Sequence, residues 1–274
     1  MMGIEWRQVV TLAAKEFRDR IRNRWVLAVA LVFTVFSLVI SYFGGAQQGT
    51  LGPRSIEFVI ASLVSLVIYL VPLIALLLGF DAIVGERERG SLDLLLALPI
   101  TRFELLLGKF LGLAVALILS TVAGFALMAV LLDIQFGWRG LYNYLGFVLS
   151  SVLLGLVFLS LALLVSVVSR ERTRASGLAI ALWFGFVLVF DLVLLGVLVG
   201  TAGRFGGGAV AWLLLLNPTD VFRILNVFSL DEMRSLYGLA TLMPPVMANP
   251  WVMGGVMLVW IALPLGLASW RFRR

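Results

Sequence analysis

Long apolar runs separated by short charged stretches set the pattern of this chain. A helix needs about 20 mostly apolar residues to cross a bilayer, and six stretches meet that length. The first runs from Trp25 to Phe43, the second from Phe58 to Phe80 and the third from Phe110 to Leu132. The fourth lies within the charge-free stretch from Gly140 to Ser169. The fifth, Ala175 to Gly200, is interrupted by Asp191, and the sixth runs from Trp251 to Trp270. The pattern predicts an all-α integral membrane fold with six transmembrane helices. A cleaved signal peptide is a poor reading of the first stretch, because its basic lead-in and apolar run both exceed that pattern.

Three segments outside the spans carry patterns of their own. Residues 5–22 place Trp6, Val9, Val10, Ala13, Phe17 and Ile21 at helical spacing among Arg and Lys. This predicts an amphipathic helix lying in the headgroup layer, with an ordinary basic flank as the alternative. Between the second and third spans, Ser91 predicts an N-cap for a helix Leu92–Leu98 that Pro99 stops. Thr101-Arg102-Phe103-Glu104 then predicts a capping box opening the next helix. The leucine-rich helix, flanked by Glu86, Arg87, Glu88 and Arg89, suits the docking of a partner, and equally suits an interfacial helix that touches only lipid. The last long segment, Thr201 to Pro250, opens on Gly203 and Gly206–Gly208. Its apolar run Ala209–Leu216 is too short to span. Asn217-Pro218 predicts an N-cap with proline at the first helical position. Val221, Phe222, Leu225 and Phe228 continue that helix, with Asp220 and Arg223 on its wetter side. Pro244-Pro245 and Asn249-Pro250 break structure again, and no internal repeat is evident.

Composition makes the solvent unambiguous. Of the 274 residues, 62% are hydrophobic and only 13% charged, against roughly 45–50% and about 25% in soluble chains. The net charge of +6 does not point to nucleic acid, because the basic residues sit in short runs between spans. Sixteen of the 21 Lys and Arg fall in the N-terminal tail, the 2–3 and 4–5 loops and the C-terminus. Positive charge stays inside, which predicts that both termini are cytoplasmic. Cysteine and histidine are absent, and with them disulfides, thiolate chemistry, imidazole metal sites and histidine catalysis. Gly108-Lys109 is no Walker A motif, for Phe110 follows and the earlier glycine is missing. An enzyme is therefore not expected, nor a metal site built on imidazole or thiolate.

Two features retain chemical interest. Asp191 is the one acidic residue deep within a span, a costly placement that marks a functional candidate; a hydrogen-bonded packing aspartate is the alternative. Met243, Met247, Met253 and Met257 cluster near the outer end of the sixth span. Thioethers suit Cu(I), yet methionine also fills gaps in apolar packing. An ion-coupled transporter using Asp191 and a structural anchor for a membrane complex both stay open on these residues.

The stretch GERERGSLDLLLALPITR from Gly85 to Arg102, continuing to Gly108-Lys109, resembles the cytoplasmic loop of ABC-2-type transporter permeases. The segment Asn217-Pro218-Thr219-Asp220-Val221-Phe222-Arg223 resembles an outer-loop motif of one branch, the permeases of NosDFY-type systems that mature nitrous oxide reductase. The resemblance implies one permease domain over residues 1–274 in the bacterial inner membrane. It comprises an elbow helix (1–24), a cytoplasmic coupling loop (81–109) and a periplasmic loop (201–250). It implies a dimer with a second copy, and a separate NosF-like P-loop ATPase that holds ATP and Mg, no cofactor being bound by this chain. Gly85, Glu86, Arg87, Glu88, Arg89, Gly90, Ser91, Leu92, Leu95, Leu96 and Pro99 would couple to that ATPase. Asn217, Pro218, Asp220, Phe222 and Arg223 would contact a NosD-like periplasmic partner.

Overall fold

The computed structural model describes residues 5–22, 24–43, 56–201, 207–227 and 244–273. Phe228, Met243, Gly203, Gly206 and the arginines at 54, 204, 234 and 274 lie outside the described residues. Every regular element among those described is helical. In order they are α1 (Trp6–Arg22), α2 (Trp25–Phe43), α3 (Ile56–Gly79), α4 (Val84–Glu88), α5 (Ser91–Leu96) and α6 (Arg102–Val168). Then come α7 (Arg172–Phe184), a π turn (Gly185–Val189), α8 (Phe190–Gly200), α9 (Gly207–Leu214), α10 (Pro218–Val227), a 3-10 turn (Pro245–Ala248) and α11 (Pro250–Arg273).

Among the described residues five helices are long and apolar enough to cross a membrane: Val59–Glu88, Arg102–Ile134, Leu141–Val168, Arg172–Gly200 and Pro250–Arg273. A sixth is reached if α1 and α2, bent by 61°, count as one span. This is a multi-pass membrane protein. The predicted third and fourth spans are the two arms of α6, which meet at Gly137 with φ 68° and ψ −169°. That left-handed conformation is open to glycine at little cost.

The arm Leu141–Val168 is the centre of the bundle, 78% buried along its most apolar stretch. Leu154, Phe158 and Leu163 pack there with Leu63, Val67 and Val71 of α3 and Leu113 and Leu117 of the other arm. A chain of rings extends this core, with Phe33 and Phe125 at 5.2 Å, Phe125 and Phe147 at 5.5 Å, and Phe147 and Phe222 at 6.2 Å between centroids. Edge and tilted contacts of this kind each add about 0.5–1.5 kcal/mol. The span Arg172–Gly200, by contrast, is only 11% buried along its most apolar stretch. It stands at the rim.

Helix α1 lies across the start of α6 at the pair Gly108 and Gly112. A Cβ on Gly112 would meet the Ala13 carbonyl oxygen at 2.5 Å and Glu16 Cβ at 2.7 Å. Lipid tails are as apolar as leucine, so close backbone approach over small residues is what joins helices in a bilayer. Val9 and Glu16 are buried on this face, whereas Trp6, Val10 and Ile21 of the predicted apolar stripe are exposed. The helix therefore has a protein face as well as a stripe free to meet lipid.

Local end signals are mostly where the pattern places them. Thr101 Oγ1 accepts from the Glu104 backbone N–H at 3.2 Å, and Glu104 Oε2 accepts from the Thr101 N–H at 2.8 Å. Asn217 Oδ1 accepts from the Thr219 N–H at 3.1 Å, with Pro218 opening α10. The predicted cap at Ser91 needs correction. Gly90, at φ 70°, is the N-cap, and Ser91 is the first helical residue, its hydroxyl donating to the Glu86 carbonyl at 3.2 Å. Only the left-handed glycine turns the chain sharply enough between α4 and α5. The helix ends at Leu96 with Ala97 as cap, short of the predicted Leu98.

Candidate functional site

Two polar constellations stand out, one at the arginine-rich end of the bundle and one against the middle of the rim span. At the arginine-rich end, α4 and α5 form a braced loop between α3 and α6. Lys109 Nζ donates to Glu86 Oε1 at 2.7 Å and to Glu16 Oε2 at 3.1 Å, and all three side chains are nearly buried. Arg20 Nη2 adds a longer contact to Glu16 Oε1 at 3.4 Å. Burial pushes the Glu16 carboxyl up, but the charges of Lys109 and Arg20 and the hydrogen bond from Lys109 outweigh it and hold the group below the usual range. Buried charges persist only when paired in this way. The triad ties α1, α4 and α6 together at one point.

Further braces run from the loop to the end of α6 and to α7. Ser166 Oγ accepts from the backbone N–H groups of Ile83 and Val84 at 2.9 and 3.0 Å. The Arg87 guanidinium donates to the Val167 and Ser169 carbonyls, satisfying groups that a helix C-terminus leaves open. Glu88 Oε1 accepts from the Arg172 N–H at 2.6 Å, and Arg172 Nε pairs with Asp81 Oδ1 at 2.7 Å. Gly85 sits against the Asp81 carboxylate, with no room for a Cβ.

These braces sort the predicted coupling residues. Gly85, Glu86 and Leu92 face inward, and Arg87, Ser91, Leu95 and Leu96 are half-buried. Glu88, Arg89, Gly90 and Pro99 are exposed. Glu86 therefore cannot dock a partner directly, since Lys109 holds it inside the chain. The outward surface includes two leucines absent from the predicted set, Leu94 at 74% exposure and Leu98 at 52%. Helical period carries the signal for Leu94: once Leu92 turns toward the bundle, Leu94 must turn away, whereas Leu98 lies past the helix end at Leu96.

Midway along the rim span, the π turn sets the geometry. Its wider winding leaves the Phe186 carbonyl free to accept from Asn217 Nδ2 at 2.9 Å and from Thr219 Oγ1 at 3.3 Å. Asn217 Nδ2 also donates to Asp220 Oδ2 at 2.9 Å. Arg223 then bridges two carboxylates, Asp220 at 2.5 Å and Asp191 at 3.2 Å. Burial raises the Asp220 carboxyl to about 6; Arg223 opposes the rise, Asp191 adds to it, and the Asn217 hydrogen bond opposes it. Asp191 is not the isolated intramembrane charge that its sequence position suggests. Its partner comes from a helix 32 residues on, beyond any local pattern.

The predicted outer contact set is corrected here too. Asn217, Pro218, Asp220 and Phe222 are buried, so they anchor α10 to the bundle rather than face a partner. Arg223 alone of the five reaches the surface, its side chain 42% exposed. Met247, Met253 and Met257 are buried among apolar side chains, a gap-filling environment. Among the described residues no group of three Asp, Glu, His or Cys side chains converges as a metal site.

Known sequences agree with the architecture. The family described as ABC-2 family transporter protein matches residues 10–274. A relative from Stutzerimonas stutzeri, named "Probable ABC transporter permease protein NosY", is 45% identical over 271 residues, covering 97% of this chain and 98% of the relative. A relative of the same name from Pseudomonas aeruginosa is 43% identical over 280 residues, covering 100% and 99%.

Proposed function

The chain belongs to the ABC-2 family of transporter permeases, and from that premise we propose that it couples a separate ATPase to movement at the periplasmic face. ATP and Mg would be held by a NosF-like P-loop partner, with the arginine-rich end of the bundle in the cytoplasm. The observation that carries this reading is the exposed tip of the loop. Leu94 and Leu98 stand out beside Glu88, Arg89 and Asp93, an apolar contact rimmed by charge. Behind it, the Lys109 triad and the Ser166 and Arg87 contacts link the tip to both arms of α6. A push on the tip is thereby delivered to the core of the bundle rather than absorbed by a soft loop.

A second copy of the chain would cover the rim span. Leu192, Val193, Leu195 and Val199 of α8 are exposed, and so is much of the Asp191–Arg223 pair, with side chains 40% and 42% exposed. Ionic groups facing lipid are costly, and a neighbouring subunit removes that exposure. A NosD-like partner would dock on the outer end, and the process served would be copper-site assembly of nitrous oxide reductase, after the resemblance to permeases of NosDFY-type systems. With neither Cys nor His in the chain, copper is best handled by partners.

Leu94→Asp tests the coupling role. Truncating or charging a central apolar anchor costs about 2 kcal/mol or more of binding, so co-purification of the ATPase should fall by about tenfold or more while the permease still inserts. An unchanged complex with unchanged ATP turnover sinks the reading. The rival, ion-coupled transport through Asp191, is weakened by the pairing of that carboxylate to Arg223. Proton-coupled transport by the purified chain without an ATPase would restore it.

A further inference from the structure

A cavity of about 540 Å³ opens at the arginine-rich end, between α5, both ends of α6 and the end of α11. Four guanidinium groups line it: Arg87, Arg102, Arg170 and Arg271. Asp93 is the one carboxylate in the lining. The remaining wall is apolar, formed by Leu92, Leu96, Val167, Val168 and Phe272.

Two of the four arginines are fixed by the fold. Arg87 is held by the Val167 and Ser169 carbonyls. Arg102 donates to the Phe272 carbonyl at 2.7 Å and lies over the Phe272 ring at 5.7 Å from its centroid. Arg170 and Arg271 are exposed and form no ion pair among the described residues. The chain thus gathers four permanent positive charges around one cavity against one negative charge. Like charges so placed repel unless an anion joins them.

From this arrangement we propose that the cavity is a binding site for the phosphate of an acidic phospholipid headgroup. The location fits, because the arginines stand at the ends of spans Arg102–Ile134, Leu141–Val168 and Pro250–Arg273, at the depth where headgroups lie. The chemistry fits as well, since guanidinium forks match phosphate oxygens in pairs. Basic pockets between helices on the inner side take anionic headgroups in this manner. The apolar wall separates a lipid from free phosphate. Leu92, Leu96 and Phe272 offer nothing to an inorganic anion, but would receive the glycerol and first methylenes of a lipid. The site needs only that this end of the bundle meets a bilayer surface; it shares Arg87, Leu92 and Leu96 with the proposed coupling loop, so lipid binding and ATPase binding are read separately.

The test uses the full-length chain, delipidated in a neutral detergent, titrated with short-chain phosphatidylglycerol, phosphatidylcholine or inorganic phosphate. Binding is read by native mass spectrometry and by the thermal midpoint. Phosphatidylglycerol should bind and raise the midpoint, and neither phosphatidylcholine nor phosphate should do so at equal concentration. The double variant R170Q/R271Q should weaken phosphatidylglycerol about twenty-five-fold, on the scale of about fivefold per arginine at a membrane surface. R170K/R271K should recover part of the loss. R174Q/R273Q removes the same charge from arginines outside the cavity and should leave binding unchanged. Equal weakening in that control would reduce the site to a diffuse surface field and overturn the proposal. Binding of inorganic phosphate as tight as that of the lipid would overturn the lipid assignment. So would a cavity filled by the ATPase, seen as R170Q/R271Q releasing the ATPase while phosphatidylglycerol binding stays intact.

Discussion

Lys109 shows how much a single position can carry. In the sequence it stands between a glycine and a phenylalanine at the mouth of an apolar span, where it reads as one more inner-side cation. In the fold it is 5% exposed at the side chain and neutralises Glu86 and Glu16 from two other elements. Lys109→Met would leave two buried carboxylates facing each other. Removing one partner of a buried ion pair costs about 3–5 kcal/mol, so the thermal midpoint in detergent should drop sharply. Restoring neutrality with Glu16→Gln and Glu86→Gln in the same chain should recover most of it. A Lys109→Met protein as stable as the parent would mean that the triad contributes nothing. Glu86 shows the limit of motif matching at this scale. It falls within the motif that carries the resemblance, but its side chain is paired with Lys109 in the chain's interior.

Among elements, α1 matters most to how the loop is held. Its predicted amphipathic pattern is present, yet the face that packs is not the most apolar one. Val9, Leu12, Ala13 and Glu16 approach Gly108 and Gly112 instead, because contact in a bilayer follows shape and small residues rather than hydrophobicity. Gly112→Val should push α1 away, with the helix backbone itself in the path of the added carbons. Overpacking of this sort costs about 1–3 kcal/mol. The expected readout is faster protease cleavage at the start of α1 with the rest of the bundle intact; unchanged cleavage would mean that α1 is held elsewhere. The π turn makes a related point in the middle of the rim span. Gly185–Val189 carries no polar signal in the sequence, but its freed carbonyl receives Asn217 and Thr219 and so fixes α10.

For the whole molecule, the decisive contrast is between a largely buried central arm and an almost unburied rim span. The rim carries a charged pair that a lipid face would penalise, so the assembled protein should place it against another subunit. The lack of cysteine gives a clean test, since any introduced thiol is the only one present. Leu192→Cys on α8, 67% exposed, should form a disulfide-linked dimer under mild oxidation in membranes. Leu258→Cys on α11, 58% exposed, should not. The reverse result would move the interface to α11 and leave Asp191 and Arg223 without cover.

Span positions, the capping box at Thr101 and the Asn217-Pro218 helix start were legible in the sequence because each depends on neighbours within a few residues. Apolar length and the hydrogen-bonding habits of capping side chains act locally, and the bilayer demands continuous helix. Which side of a helix turns inward is settled by what lies across from it. Lys109 and Glu16 are 93 residues apart and Arg223 and Asp191 are 32 apart, so only the tertiary structure could pair them. It alone turned Glu86, Asn217 and Asp220 inward, exposed Leu94 and Leu98, and gathered four arginines from distant segments around one cavity.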